Sequence, residues 1–138
     1  MTPEETARRS AETMWADDRA SRSLGMSLDA VGPGTATLSL TVDDDMVNGH
    51  GICHGGITFT LADSAFAFAC NSYNRSTVAA AAEVRFRRPV RLGDRLVAAA
   101  TERSRDGRDG VYDVLVTVGD EVVAVFVGRS KEIGGTLF

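Results

Sequence analysis

The residues from Ile57 to Cys70 constrain the fold more than any other part of the chain. This segment is apolar nearly throughout, and no Gly, Pro or Lys interrupts it. Its alanines and its leucine favour a helix, and a helix that is apolar on all sides is buried on all sides. It is too short to span a bilayer. The segment therefore predicts a central helix, wrapped by the other elements of a small domain.

One acidic residue, Asp63, interrupts this apolar segment. A buried, ionised carboxylate is costly unless it is paired or hydrogen-bonded, and no basic residue lies one helical turn away. Its neighbours on the helix face would be Thr60, Ser64 and Ala67. Asp63 either contacts a hydroxyl, a backbone group or a partner subunit and only shapes the core, or it is kept for chemistry. The helix alone favours neither reading.

The sequence His54-Gly55-Gly56 comes directly before the helix. The first backbone N–H groups of a helix have no partner within it and lie at the positive end of the helix dipole. Glycine lets a ligand approach such backbone closely, so this position suits a developing oxyanion. Two glycines can also form only a tight turn. With Asn48, His54 and Asp63 nearby, we favour a functional site.

Composition predicts one globular domain over residues 1–138, since 43% of the residues are hydrophobic and 25% are charged. The net charge of −4 argues against nucleic acid or an anionic membrane as the main partner. Met1–Ser10 is polar and acidic rather than a secretory signal. Cys53 and Cys70 are therefore expected to be reduced thiols in a cytoplasmic protein.

The remaining segments predict an α+β fold with an N-terminal helix and an antiparallel sheet. The helix, within residues 1–20, begins at Thr2-Pro3, where Thr caps and Pro occupies the first turn, and ends near Asp17 or Arg19. Four strands after the central helix, joined by short connections, indicate an antiparallel meander. The predicted strands are Leu24–Val31, Thr35–Val42, Thr77–Arg88, Asp94–Ser104, Val111–Val118 and Val122–Lys131.

Signals for other chemistries are weak or absent. The chain has no G-x-S-x-G nucleophile elbow, no P-loop and no dinucleotide fingerprint. His50, Cys53 and His54 could suggest zinc, but they lie among glycines, whereas a fixed metal site prefers rigid backbone. We therefore predict no metal. Cys53 beside His54 could suggest a thiol nucleophile, although adjacent side chains rarely face each other and buried cysteines are usually inert.

The motifs around the glycines resemble those of a known family. Asn48, Cys53-His54-Gly55-Gly56 and Leu61-Ala62-Asp63 are similar to the signature of hotdog-fold acyl-CoA thioesterases, in which an antiparallel sheet wraps around a long central helix. Other motifs resemble the branch that acts in phenylacetic acid degradation. The similarity extends from about Met14 to Thr136. These further motifs are Ala69-Cys70-Asn71-Ser72, Phe86-Arg87-Arg88-Pro89, Gly93-Asp94, Gly110-Val111-Tyr112-Asp113-Val114, Gly128-Arg129-Ser130 and Ile133-Gly134-Gly135-Thr136.

This resemblance implies hydrolysis of an arylacetyl-CoA thioester, of phenylacetyl-CoA or hydroxyphenylacetyl-CoA, without a cofactor. The Gly55 N–H would bind the carbonyl and its oxyanion. Asp63 would act either as nucleophile or as general base. Asn48 would orient the water or the carbonyl. His54 would shape the loop or donate a hydrogen bond.

Helix geometry adds a constraint on assembly. Gly55 and Asp63 are eight residues apart, which is roughly 12 Å along an ideal helix. One helix can hardly bring both groups to one atom, whereas two antiparallel copies across a dimer axis can. The resemblance also places such sites at a dimer interface. We therefore expect an obligate dimer, and from the family a tetramer.

An acyl-CoA substrate would need basic residues for its phosphates and a pocket for its acyl group. Coenzyme A phosphates need cations, for which Arg85, Arg87, Arg88, Arg129 and Lys131 are candidates on neighbouring strands. Gly56 is expected to line the site, and the acyl pocket to draw on Phe66, Phe68, Tyr73 or Tyr112. The rivals are a hotdog hydratase acting on the acyl chain and a non-catalytic acyl-CoA sensor. The placement of Asp63 within His-Gly-Gly-x6-Asp favours the hydrolase over the hydratase. The presence of Asp63 and the lack of a DNA-binding segment count against the sensor.

Overall fold

The computed structural model describes every residue from Met1 to Phe138. Three helices and six strands follow one another in an α+β arrangement. The helices are α1 (Pro3–Asp17), α2 (Arg19–Ser23) and α3 (Gly55–Cys70), with a short 3-10 turn at Asp44–Met46. The strands are β1 (Ser27–Gly32), β2 (Thr35–Thr41), β3 (Thr77–Phe86), β4 (Arg95–Asp106), β5 (Asp109–Val118) and β6 (Glu121–Glu132).

The first helix forms as the sequence predicts. The Thr2 hydroxyl accepts a hydrogen bond of 3.1 Å from the Glu5 N–H, and Pro3 occupies the first helical position. The chain then turns at Asp18, whose carboxylate accepts a 2.9 Å bond from the Ser21 N–H and caps the separate helix α2. Because α2 uses the residues up to Ser23, strand β1 begins later than the predicted Leu24.

Helix α3 is the central helix that the apolar segment predicts. It contacts all six strands, and the sheet curls around it in the hotdog arrangement. Its sheet-facing side chains, among them Leu61, Ala65 and Phe68, are buried in a core of 25 residues. No helix of the chain is both long and apolar enough to cross a membrane. The predicted fold class is therefore confirmed.

The order of the strands differs from the predicted meander. All pairs are antiparallel, and the order across the sheet is β1-β2-β4-β5-β6-β3. The meander prediction holds for β4, β5 and β6 but is wrong for β3, which pairs with β6 instead of β4. The side of β4 away from β5 is taken by β2. Alternating side chains identify a strand but carry no information about its neighbour, so the sequence pattern could not place β3.

Strand β3 forms one edge of the sheet. Nearly all of its ten residues are exposed, and its central residues Ala79–Ala82 carry no charge. The side of β3 away from β6 therefore presents a row of backbone groups without a strand partner, which is a template for pairing with another chain.

Candidate active site

His54 caps the N-terminus of α3. Its Nδ1 accepts a 2.8 Å hydrogen bond from the Gly56 N–H, and its carbonyl accepts one of 2.9 Å from the Ile57 N–H. An imidazole nitrogen that accepts is unprotonated, so the neutral ring carries its proton on Nε2. His54 thus pins the loop, as one of its two predicted roles requires. Its exposed ring leaves the Nε2–H free to donate outwards.

The Gly55 N–H makes no hydrogen bond within the chain, whereas the Gly56 N–H next to it is occupied by His54. A donor role at this helix end therefore falls to Gly55. Gly56 lies at the site but cannot donate without releasing the imidazole. The free amide lies at the positive end of a sixteen-residue helix, where a developing negative charge is stabilised.

Asn48 holds the loop that precedes the helix. Its Oδ1 accepts hydrogen bonds from the N–H groups of His50, at 2.9 Å, and Ile52, at 3.4 Å. Its own N–H donates to the Ile52 carbonyl at 2.8 Å. These contacts fix a tight turn, while the Nδ2 amide has no partner in the chain. Asn48 is thus both a structural residue and a source of a free donor beside the helix end.

Asp63 is half-buried on the face of α3 that the sheet leaves uncovered. No hydrogen bond or ion pair reaches its carboxylate from the rest of the chain, because Thr60 bonds back to the Gly56 carbonyl at 2.7 Å and Ser64 bonds to Ser21 at 2.8 Å. Burial raises the pKa of the Asp63 carboxyl. Two of the structural roles that its position allowed, contact with a hydroxyl or with backbone, are therefore absent.

The two cysteines are buried and free. Burial raises the pKa of the Cys53 thiol, and its Sγ donates to the His54 carbonyl oxygen at 3.6 Å and forms no hydrogen bond with the imidazole. A thiol held in its protonated form is a poor nucleophile. His50, Cys53 and His54 do not form a group of three or more side chains placed to hold a metal ion.

Some of the arginine and lysine side chains predicted to bind coenzyme A phosphates lie beside acidic side chains, and others are unpaired. Lys131 pairs with Asp109 at 3.1 Å, and the Arg88 Nε lies 2.6 Å from Glu121 Oε2, though not aligned for a hydrogen bond. Arg87 and Arg129 are exposed and form no ion pair within the chain. Arg87 directly follows β3, whereas Arg129 lies within β6.

Sequence reasoning missed Arg91. It is exposed and forms an isolated antiparallel bridge with Ile52, in the loop before α3. Together with Arg87 it places two unpaired cations on the segment that passes the helix start. The available signal was the concentration of arginine from Arg85 to Arg91, but the pairing with the loop depends on the tertiary fold.

The aromatic residues proposed for an acyl pocket belong mostly to the core. Phe66 is 1% exposed, and its ring centre lies 5.7 Å from that of Tyr112 and 5.8 Å from that of Phe126. The expected pocket role of Phe66 does not fit this placement, because Phe66 lies on the sheet-facing side of α3. Tyr112 is equally buried, and its hydroxyl donates to Glu102 at 3.1 Å.

With this geometry in hand, the chain can be compared with known proteins. The model of the thioesterase superfamily matches residues 50–125, a range that includes His54, Gly55 and Asp63. The chain therefore belongs to the thioesterase superfamily and is an enzyme of that class.

Individual relatives extend the similarity over nearly the whole chain. The acyl-coenzyme A thioesterase PaaI of Escherichia coli K12 is 42% identical over 92% of this chain and 91% of its own length. The structure of E. coli PaaI, from the phenylacetic acid degradation operon, superimposes with a TM-score of 0.96 at 40% identity, covering 98% of this chain and 99% of that one. A variant of the phenylacetic acid degradation protein PaaI from Thermus thermophilus gives a TM-score of 0.82 at 34% identity, covering 84% and 100%.

Proposed function

We propose that the protein hydrolyses arylacetyl-CoA thioesters, such as phenylacetyl-CoA or hydroxyphenylacetyl-CoA, to the free acid and coenzyme A during phenylacetate degradation. The observation that carries this proposal is one helix with a free Gly55 N–H at its start and an unpartnered, half-buried Asp63 two turns later. The similarity to a protein named acyl-coenzyme A thioesterase PaaI supports the substrate class.

In the proposed reaction the thioester carbonyl accepts a hydrogen bond from the Gly55 N–H. Attack on the carbonyl carbon moves negative charge to that oxygen, where the amide and the helix dipole stabilise it. Asp63 either removes a proton from the attacking water or attacks directly, giving an anhydride that water then hydrolyses. The C–S bond breaks, and the thiolate of coenzyme A leaves and takes up a proton.

Two subunits are needed to bring these groups together. Gly55 and Asp63 are separated by roughly 12 Å along α3, so we propose that Gly55 of one subunit works with Asp63 of the partner subunit. Antiparallel pairing of the exposed β3 edges would continue the sheet and place two α3 helices side by side in opposite directions. We propose a dimer formed in this way and, from the family, a dimer of dimers.

Residues beside the helix start would position the substrate. The free Nδ2 of Asn48 and the Nε2–H of His54 supply donors for the water or the carbonyl. Arg87 and Arg91, which are unpaired within the chain, are better placed for coenzyme A phosphates than Arg88 and Lys131, which already have acidic neighbours. The reaction needs only water, so we propose no cofactor and, with two free thiols, a cytoplasmic enzyme.

Release of free thiol from phenylacetyl-CoA and from a series of aliphatic acyl-CoAs tests the proposal. Wild type is compared with Asp63→Asn and with Asp120→Asn, a control in the exposed turn between β5 and β6. We expect release by wild type and the control, and a loss of about a hundredfold or more in a folded Asp63→Asn. No release by wild type from any substrate refutes the hydrolase proposal. Equal release by Asp63→Asn removes Asp63 from the mechanism.

A further inference from the structure

Phe86 covers the Gly55 end of α3. It is the last residue of β3, and its ring extends to the helix start. A Cβ built on Gly55 would lie 3.0 Å from the Cζ of Phe86 and 3.4 and 3.5 Å from its two Cε atoms. The tip of the ring therefore rests on the Gly55 backbone, and the missing side chain of glycine is what makes room for it.

The position of Phe86 is fixed by the sheet. Phe86 pairs with Ala124 in β6, and the following N–H, of Arg87, donates to the Val123 carbonyl at 2.8 Å. Phe86 and Gly55 belong to the same chain, so their contact does not depend on a partner subunit. The backbone of β3 thus holds the Phe86 side chain beside the helix start.

Phe86 is 55% exposed despite this contact. The open surface of the ring adjoins a backbone donor without a partner, the Gly55 N–H. An apolar neighbour keeps water from part of the amide, and a hydrogen bond to a developing charge is stronger where water is excluded. The exposed part of the ring is also available to whatever the Gly55 N–H holds.

We infer that Phe86 is a specificity-determining residue that contacts the aromatic ring of an arylacetyl group, an inference that rests on the proposed function. A carbonyl oxygen bonded to the Gly55 N–H lies about 2.9 Å from that nitrogen. With one methylene between them, the substrate's ring centre lies about 4 Å from the carbonyl carbon. Aromatic pairs interact at ring-centre separations of about 4.5–7 Å. A substrate ring beside Gly55 therefore lies within reach of Phe86, whereas an acetyl or other aliphatic acyl group offers no ring for an aromatic contact.

Substrate selectivity provides the test. The ratio of kcat/KM for phenylacetyl-CoA to that for octanoyl-CoA is measured in wild type, Phe86→Ala and Phe86→Leu. The control is Val78→Ala, another exposed apolar side chain of β3 at 45% exposure and far from Gly55 in the strand. We expect the ratio to fall about tenfold in Phe86→Ala, less in Phe86→Leu, and not in Val78→Ala. Because any inactive fraction cancels in the ratio, loss of folded or assembled protein does not mimic the effect.

A double-mutant cycle tests the contact itself. The methyl group of Gly55→Ala must displace the ring in wild type but meets open space in Phe86→Ala, so we expect Gly55→Ala to cost less activity in the second background. If Gly55→Ala costs the same activity in both backgrounds, or if the substrate ratio is unchanged in an active enzyme, the role of Phe86 is overturned and the proposed function is not. Wild type that releases no thiol from any acyl-CoA overturns the proposed function and the role of Phe86 with it.

Discussion

Replacement of Asp63 by Asn should stabilise the protein while it abolishes activity. The Asp63 carboxyl is half-buried, has no hydrogen-bond or ion-pair partner in the chain, and has a pKa raised by burial. The folded state therefore binds a proton more readily than the unfolded state, whose aspartate has a pKa of about 3.9. Stability contributed by this group falls as pH rises from that value through the folded pKa. Above the folded pKa the whole penalty of the buried charge is present, and Asn removes it.

The size of the gain follows from the surroundings of the carboxylate. A charged group buried without a partner costs more than a neutral polar group in the same place, and the partial exposure of Asp63 holds this difference between Asp and Asn to about 1 kcal/mol. Unfolding entropy of about 2.1 cal/mol/K per residue gives about 0.3 kcal/mol per kelvin for 138 residues. Asp63→Asn should therefore raise the melting temperature by about 3 °C at neutral pH.

Thermal melting at one protein concentration, from pH 7 down to pH 4, measures this gain. The matched variant is Asp113→Asn, because an ion pair and hydrogen bond with Arg103 lower the pKa of Asp113. That change has the opposite sign: it should lower the melting temperature slightly, as expected for a solvent-exposed ion pair, and this cost should stay nearly constant until the pH approaches 4, where the unfolded aspartate begins to bind a proton. The gain from Asp63→Asn should shrink towards pH 4. A melting temperature for Asp63→Asn at or below that of wild type at pH 7 refutes the reasoning.

Other consequences of the packing can be measured directly. Gly128→Ala should destabilise the protein by about 1–3 kcal/mol in denaturant unfolding, because its Cβ would meet the buried Phe66 ring at 2.7 Å; an unchanged midpoint contradicts this packing. Burial raises the pKa of the Cys70 thiol to about 12, so alkylation by iodoacetamide at pH 8 should be slow in the folded protein and fast in urea; equal rates contradict it. Asn74→Ala should expose the C-terminus to carboxypeptidase, because the Asn74 Oδ1 accepts hydrogen bonds from the Leu137 and Phe138 N–H groups at 2.8 and 3.1 Å; cleavage at the wild-type rate would exclude this role.

Local patterns were sufficient for most of the fold. The apolar segment from Ile57 to Cys70 identified the central helix, because a helix that is apolar on all sides must be surrounded by the other elements of the fold. The hairpin between β4 and β5 was recognisable from its turn residues, and Gly107 has the positive φ, 61°, that such a turn requires. The position of β3 in the sheet could not be recognised from the sequence, since its pairing with β6 depends on contacts between residues far apart in the chain.

The residues of the candidate site could be predicted from the sequence, but the hydrogen bonds that each residue makes could not. The motif placed His54 and Gly55 at the start of the helix and Asp63 within it, yet only the structure shows that His54 occupies the Gly56 N–H and leaves that of Gly55 free. Phe66 and Phe86 show the same limit. Phe66 follows Asp63 in α3, whereas Phe86 ends β3. The position of each side chain in the fold decides that Phe66 fills the core and that Phe86 covers the helix start.

The uncovered edge of β3 also affects how a single chain behaves in solution. A long, alanine-rich strand edge pairs as readily with an unfolded neighbour as with a folded copy. Newly made chains whose β3 edge is still open are therefore prone to aggregate, and only the charges of Glu83 and Arg85 oppose this on β3. Assembly would then protect solubility as well as completing the site, and expression yield should fall when either charge is removed.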